Sequence, residues 1–350
     1  MKNPFKRPSP PDRPPVCLAL QGGGAHGAFQ WGVLDRLLEA DALDIRAVTA
    51  SSAGAMNGAA LLSGLETGGA EGGRAALDKL WREVNQSGGR NVFGDSNIWT
   101  AAFGGGWLKD NPLWRAGETL ALSLSPYEFN PFNLNPLDRV LNAAIDFEAV
   151  RGSPIRLFVA ATAVRRAKSR IFTNAEITDR VLLASACLPH LFQAVEVDGE
   201  DYWDGGYLAN PPLWPLFTPE LPNDVLLLPL NPFQRDHTPR KAGEIVDRLN
   251  EIAFNAPLTA ELRAIAFVQK LLDEGLLNES ARGRYRRVLM HVIESDPYLG
   301  KLTLSSKFDT EWNFLLELKA RGREAADAWL SDCLPAVGVR SSVDLRARFL

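Results

Sequence analysis

Twice within its first 65 residues the chain passes from a short apolar run, through a turn of very small residues, into a helical repeat. No other feature restricts the fold as much. Val16-Cys17-Leu18-Ala19-Leu20 is apolar throughout, which suits a strand buried on both faces. Gly22-Gly23-Gly24-Ala25-His26-Gly27 follows, and then Phe29, Val33, Leu34, Leu37 and Leu38 recur at helical spacing as far as about Ala40. A second run, Ile45 to Thr49, ends in Ala50-Ser51-Ser52-Ala53-Gly54, and Ala55 to Leu65 reads as a helix. Strands linked through helices by tight turns must lie parallel, joined by right-handed crossovers. The expected fold is a three-layer α/β/α sandwich around a mainly parallel sheet.

The rest of the chain divides by composition. Residues 1–15, MKNPFKRPSPPDRPP, read as a disordered leader. Residues 16–230 form the expected core, and residues 231–350 a C-terminal α/β extension packed on the same domain. Within the core, a glycine-rich hinge at Gly64 to Gly73 precedes a helix around Ala75 to Val84. Residues 86–136 are an insertion rich in aromatics, with Trp99, Phe103, Trp107, Trp114, Phe129 and Phe132 among glycines, prolines and asparagines. Ile155 to Val164 and Asp224 to Leu230 read as buried strands, and residues 194–199 as a hairpin. Ala242 to about Leu277 is a long helix, and Arg287 to Glu294 a strand. Asp309 to Leu334 reads as two helices split at Arg321-Gly322.

Thirty-eight basic against 42 acidic residues leave a formal charge of −4, without the basic excess of a general nucleic-acid binder. Three widely separated cysteines, Cys17, Cys187 and Cys333, match neither a disulfide framework nor a zinc site and fit a reducing compartment. No apolar run approaches the roughly 18 residues of a membrane span. The basic N-terminus lacks the apolar core of a secretory signal. The expectation is a cytoplasmic protein with no cofactor and no metal, its oligomeric state left open.

Gly22 to Gly27 satisfies G-x-G-x-x-G between a strand and a helix, the setting of a dinucleotide-binding turn. That reading needs an acid at the end of the second strand, where Ala50-Ser51-Ser52 stands instead, while Asp41 and Asp44 precede the strand. No Lys-Ser/Thr pair follows the glycines, which excludes a Walker loop. Backbone N–H groups at a helix start still attract an anion, and a transient oxyanion fits better than a pyrophosphate. A nucleophile elbow needs small residues two before and two after its serine. Ser52 has Ala50 and Gly54 there, whereas Ser51 has Thr49 and Ala53, so Ser52 is the expected nucleophile.

A histidine partner is harder to find. His26 lies within the glycine loop, His237 in a polar loop, and His291 in an apolar strand where a satisfied core residue is expected. His190, after Pro189, is the remaining candidate. Asp204, in Tyr202-Trp203-Asp204-Gly205-Gly206-Tyr207, is the stronger partner, because two glycines leave its carboxylate unobstructed. Asn210-Pro211-Pro212 fixes the exit of that turn, and Asp198 and Asp201 read as solvated hairpin residues.

Glycine loop, Ser52 elbow and Asp204 turn, in that order, resemble the patatin-like phospholipases, or patatin-like acyl hydrolases. The family pattern is a glycine-rich oxyanion loop, G-x-S-x-G and D-G-[GA]. Ala184-Ser185-Ala186-Cys187-Leu188-Pro189-His190-Leu191-Phe192 also looks like the family's stretch before its aspartate. The resemblance spans roughly residues 16–230. It implies a Ser52–Asp204 dyad without histidine, an oxyanion hole from Gly22, Gly23 and Gly24, and supporting roles for Gly27, Ala50, Gly54, Gly205 and Gly206. Lipid acyl esters are the implied substrates, with no metal. Two positions depart from the pattern: Ala50 replaces the first glycine of the elbow, and His26 stands where Arg or Lys is frequent.

The aromatic insertion is expected either to cap the acyl pocket and touch a membrane surface or to fill the core. The Arg282, Arg284, Arg286, Arg287 cluster is expected at a solvated strand entrance rather than on head groups. Two rival functions stay open, a non-catalytic lipid- or acyl-binding protein on the same fold and a dinucleotide-binding oxidoreductase.

Overall fold

A computed structural model describes residues 13–89, 125–278 and 284–349. Most of the expected leader, the greater part of the aromatic insertion and Arg282 fall outside these residues. Eight strands form one sheet: β1 (Pro15–Leu20), β2 (Asp44–Ser51), β3 (Arg156–Ala163), β4 (Lys168–Thr173), β5 (Val195–Val197), β6 (Glu200–Asp204), β7 (Asp224–Leu228) and β8 (Leu289–Val292). The order is β5-β6-β3-β2-β1-β7-β8, with β4 also paired to β3. The run from β3 to β8 is parallel throughout, and β4, β5 and β6 pair antiparallel.

The all-apolar strands are buried on both sides. In β1, Val16, Leu18 and Leu20 face one core while Cys17 and Ala19 face the other. Leu226 and Leu228 of β7 alternate with Val225 and Leu227 in the same way. Helices α1 (Gly27–Ala40) and α2 (Ala53–Gly89) cover the first face, followed in the chain by α3 (Pro136–Ala144), α4 (Phe147–Gly152) and α5 (Asp179–Ser185). Helix α6 (Ala242–Asp273) covers the second through Leu258, Leu262 and Ile265. Helix α7 (Trp312–Asp332) returns to the first face and lies along α1. The architecture is the expected α/β/α sandwich.

Strand β3 outruns its neighbour. Residues 156–160 pair with β2, and residues 161–163 pair with β6. Because β4 occupies residues 158–163 along the other edge, β6 must join on the edge that β2 vacates. The end of β2 and the end of β6 therefore meet head to head, with Ser51 opposite Ala160 and Asp204 opposite Ala161.

Two glycine readings are corrected. The tail is one helix, α7, with no break at Arg321-Gly322. A Cβ on Gly322 would lie 2.0 Å from the Phe29 carbonyl oxygen, so this glycine permits close approach of α7 to α1 instead of ending a helix. The expected hinge of ten residues is much narrower, since the backbone of α2 leaves helical geometry at Gly68 and Gly69 alone.

Gly322→Val should overpack the α1–α7 contact and cost about 1–3 kcal/mol, seen as a lower midpoint in chemical denaturation. Gly243→Ala, at a helical position where a Cβ meets nothing within 4 Å, should cost nothing. Equal behaviour of the two variants would contradict the close-approach explanation.

Candidate active site

The elbow stands at the C-terminal edge of the parallel sheet. Ser52 links β2 to α2 with φ of 53°, a left-handed conformation that costs a non-glycine residue energy. Its surroundings hold it there: its N–H donates to Ser185 Oγ at 2.9 Å, and its carbonyl accepts from Ala55 and Met56. Gly54 is required by close approach, because a Cβ would sit 2.3 Å from the Leu20 carbonyl oxygen. Ala50 is wholly buried between β1 and β3, so its methyl group is absorbed by the core. Ser51 donates its hydroxyl to the Ala209 carbonyl at 2.5 Å and is fully buried, whereas Ser52 keeps 9% of its surface exposed.

The glycine loop presses against this elbow. A Cβ on Gly22 would lie 2.7 Å from the Ser52 Cβ. The Gly22 N–H donates to Asn210 Oδ1 at 2.7 Å, so it is already engaged. The N–H groups of Gly23 and Gly24, at the entry to the 3-10 turn that leads into α1, make no hydrogen bond among the described residues. Gly27 packs on Ala53 and Trp81 at the start of α1.

Asp204 ends β6 and is 1% exposed. Its Oδ1 accepts from the Gly206 N–H at 2.7 Å, while its Oδ2 is buried without a hydrogen-bond partner. Gly205 lies on the Ala160 carbonyl, and Gly206 lies against the Phe254 ring of α6. Burial pushes the carboxyl up to about 6, against smaller downward effects of the Ser52 hydroxyl, the Gly206 N–H and Lys307. A buried carboxylate oxygen with a spare lone pair beside a serine hydroxyl is arranged to accept a proton.

The histidines take no part in this arrangement. His190 and His237 are exposed. His291 is fully buried and bonded to Asp224 and Ser342, the satisfied core residue expected. His26 bonds Ser306 through Nε2, and burial followed by the nearby Lys307 charge pushes its pKa down to about 3, so it is neutral. Asp198 is exposed in the β5–β6 turn and Asp201 is half-buried. Arg286 bonds the Thr218 and Leu221 carbonyls, and Arg287 pairs with Asp273. Among the described residues no group of three or more His, Cys, Asp or Glu side chains is placed to hold a metal.

Sequence reading missed the amides and the lysine that surround the loop. Gln21 Oε1 accepts from the Leu230 and Asn231 N–H groups, and its Nε2 donates to Asn255 Oδ1 and the Asn210 carbonyl. Gln30 Nε2 donates to the Gln21 and Leu228 carbonyls. Lys307, 9% exposed, donates to Asn231 Oδ1, and Asn231 Nδ2 donates to the Gly22 carbonyl. The only signal was an amide after two of the apolar runs, Gln21 directly after β1 and Asn231 shortly past β7.

The family model described as patatin-like phospholipase matches residues 18–217. Similar solved structures include VipD from Legionella pneumophila, at 15% identity and a TM-score of 0.37, covering 89% of this chain and 67% of that one. The type III effector protein ExoU is similar at 17% identity and a TM-score of 0.34, covering 92% of this chain and 53% of that one. This chain thus spans about two thirds of the one and half of the other. Comparison with curated proteins gave no match.

The buried carboxyl makes a stability prediction. A folded-state pKa raised from 3.8 to about 6 favours the protonated form, so its contribution is full below pH 3.8 and is lost as pH rises through 6. Asp204→Asn should therefore be more stable than wild type at pH 8 by roughly 2–3 kcal/mol, with the gap closing toward pH 4. Urea denaturation at both pH values measures this, and a gap independent of pH would show that Asp204 is not ionised at a cost.

Proposed function

The chain belongs to the patatin-like phospholipase family, and from that premise we propose that it is a lipid acyl hydrolase working through a Ser52–Asp204 dyad. The observation that carries the reading is the unpartnered Asp204 Oδ2, buried at the side of a serine held in a left-handed elbow. Asp204 takes the Ser52 hydroxyl proton as Oγ attacks the ester carbonyl. The oxyanion forms against the Gly23 and Gly24 N–H groups, each such donor being worth about 3–4 kcal/mol. Collapse expels the alcohol, which takes back the proton from Asp204 and leaves an acyl-Ser52. Water, giving a proton to Asp204, then attacks the acyl carbonyl; the bond to Ser52 Oγ breaks, Asp204 returns the proton to Oγ, and the fatty acid leaves.

The spent hydroxyl of Ser51 and the exposed or core-bound histidines support a dyad over a triad. Ser52→Ala should abolish ester hydrolysis and labelling by a fluorophosphonate probe, and Ser51→Ala should do less harm. Asp204→Asn should lower turnover by about 10²–10⁴. Activity should fall as pH drops through about 6, where Asp204 protonates. A histidine base would give a similar limb, so the decisive comparison is His190→Gln. Loss of both activity and limb in that variant would replace the dyad with a triad.

We also propose that the outer face of α6 meets the lipid surface. Ile245, Val246, Leu249 and Ile252 are 41–61% exposed along one stripe, and Ala253, Ala256 and Ala260 extend it without a charge. The opposite face of the same turns supplies Glu251, Phe254 and Asn255 to the surroundings of the site. Among residues 125–136, Tyr127, Phe129, Phe132 and Leu134 are likewise exposed rather than packed in the core. An uncharged stripe over a site for acyl esters fits a bilayer interface. Leu249→Glu with Ile252→Glu should cut hydrolysis of phospholipid vesicles at least tenfold while sparing a soluble short-chain ester. Equal losses on both substrates would reject the membrane role.

A further inference from the structure

Lys307 lies outside the family match, in a C-terminal turn (Leu304–Phe308) that sits on the glycine loop. Gly24, with φ of 59°, faces the Lys307 carbonyl so closely that a Cβ there would lie 2.4 Å from it. His26 bonds the neighbouring Ser306 at 2.7 Å. The turn is tied down from below. Arg235 donates to the Gly300 and Leu302 carbonyls and pairs with the buried Glu251, and the Leu304 N–H donates to Asp247. So anchored, the side chain of Lys307 runs inward to Asn231, 5.9 Å from the centre of the Phe254 ring.

This ammonium is nine-tenths buried, yet among the described residues it has no salt bridge and a single hydrogen bond, to Asn231 Oδ1. Glu251, the carboxylate of α6 that acts on it most, is already shared by Arg235 and Arg248. A buried cation with donors to spare is costly unless something negative comes to it. The groups that face it are Asp204 on β6, Glu251 and Asp247 on α6, Arg235 after β7 and the neutral His26 on the glycine loop. Of these, Asp204 is the one whose charge changes in the proposed reaction, and the oxyanion would form on the loop that Asn231 holds by the Gly22 carbonyl.

We propose that Lys307 is a positioning residue of the hydrolytic site. Its positive charge offsets the Asp204 carboxylate before attack and the oxyanion after it, and through Asn231 it fixes the Gly22–Gly24 loop. The inference rests on the Ser52–Asp204 reading. Charge on the site then comes from the C-terminal region, because the basic-type residue in the loop itself, His26, is held neutral by burial. Desolvation brings Lys307 down to about 8, with Glu251, Asp247 and Asp204 pulling the other way, so it is charged at pH 7 and loses its proton just above.

Lys307→Met and Lys307→Arg test the proposal, with Ser52→Ala alongside and turnover of a soluble ester and fluorophosphonate labelling both followed from pH 5 to 10. Wild type should lose activity above about pH 8. Lys307→Met should be slower by about 10²–10³ at pH 7, the scale of losing one oxyanion donor, and should lack the alkaline limb. Lys307→Arg should recover part of the rate and push the limb out of range, because a guanidinium stays charged. A wild-type profile flat to pH 10, or a Lys307→Met enzyme with wild-type turnover, overturns the proposal. So does a Lys307→Met enzyme that is slow but keeps the limb. Poor folding of Lys307→Met leaves the wild-type and Lys307→Arg profiles to decide. Hydrolysis retained in Ser52→Ala would instead sink the dyad itself, whatever the lysine does.

Discussion

Everything in the site hangs on the extra length of β3. A strand that pairs with β2 over its first five residues and with β6 over its last three acts as a common backing for two ends that approach from opposite directions. Backbone hydrogen bonds fix the register, and register is unforgiving: a shift of one residue turns every side chain to the other face. Ser51 and Asp204 oppose successive residues of β3, so Ser52, the next residue along, comes out beside the carboxylate. The Thr162 hydroxyl, which donates to the Asp204 carbonyl at 2.8 Å, and the Asp204 N–H, which donates to the Cys187 carbonyl, add further ties at the same point.

Around that backing the protein keeps several groups in conditions that do not favour them. Ser52 has a left-handed backbone, Asp204 a desolvated carboxyl and Lys307 a desolvated ammonium. Each costs stability, and each is maintained by a rigid surrounding. The Gln21 amide spends both its oxygen and its nitrogen on groups from three distant segments, and Gln30, Asn210, Asn231 and Asn255 continue the network. A fully bonded buried amide network specifies one arrangement, since any displacement leaves a polar group unpaired.

Helix α6 joins the chemistry to the surface. One face of its early turns closes over the Asp204 turn with Phe254, bonds Gln21 through Asn255 and holds Arg235 through Glu251. The other face is uncharged and exposed. The residues that close over the Asp204 turn are thus set on the same rod as an exposed apolar stripe.

The sequence alone determined a great deal that is local. All-apolar runs made the parallel strands, small residues after each strand made the tight turns, and Ala50-Ser51-Ser52-Ala53-Gly54 singled out Ser52. These depend on neighbours within a few positions, where sterics and periodicity are readable. Gly322 was misread as a break because a glycine that admits another helix looks the same, in one dimension, as a glycine that ends one. The engagement of the Gly22 N–H by Asn210 joins residues 188 positions apart, and no periodicity announces it. Lys307, in an unremarkable polar stretch 103 positions after Asp204, is set against the glycine loop by a turn whose anchors, Arg235, Glu251 and Asp247, are themselves scattered. The residue types and turns that make a candidate site were legible in the sequence. Which of their hydrogen bonds were already spent, and which charges were buried together, was decided only by the tertiary structure, because desolvation and bond satisfaction depend on every segment that packs around a group.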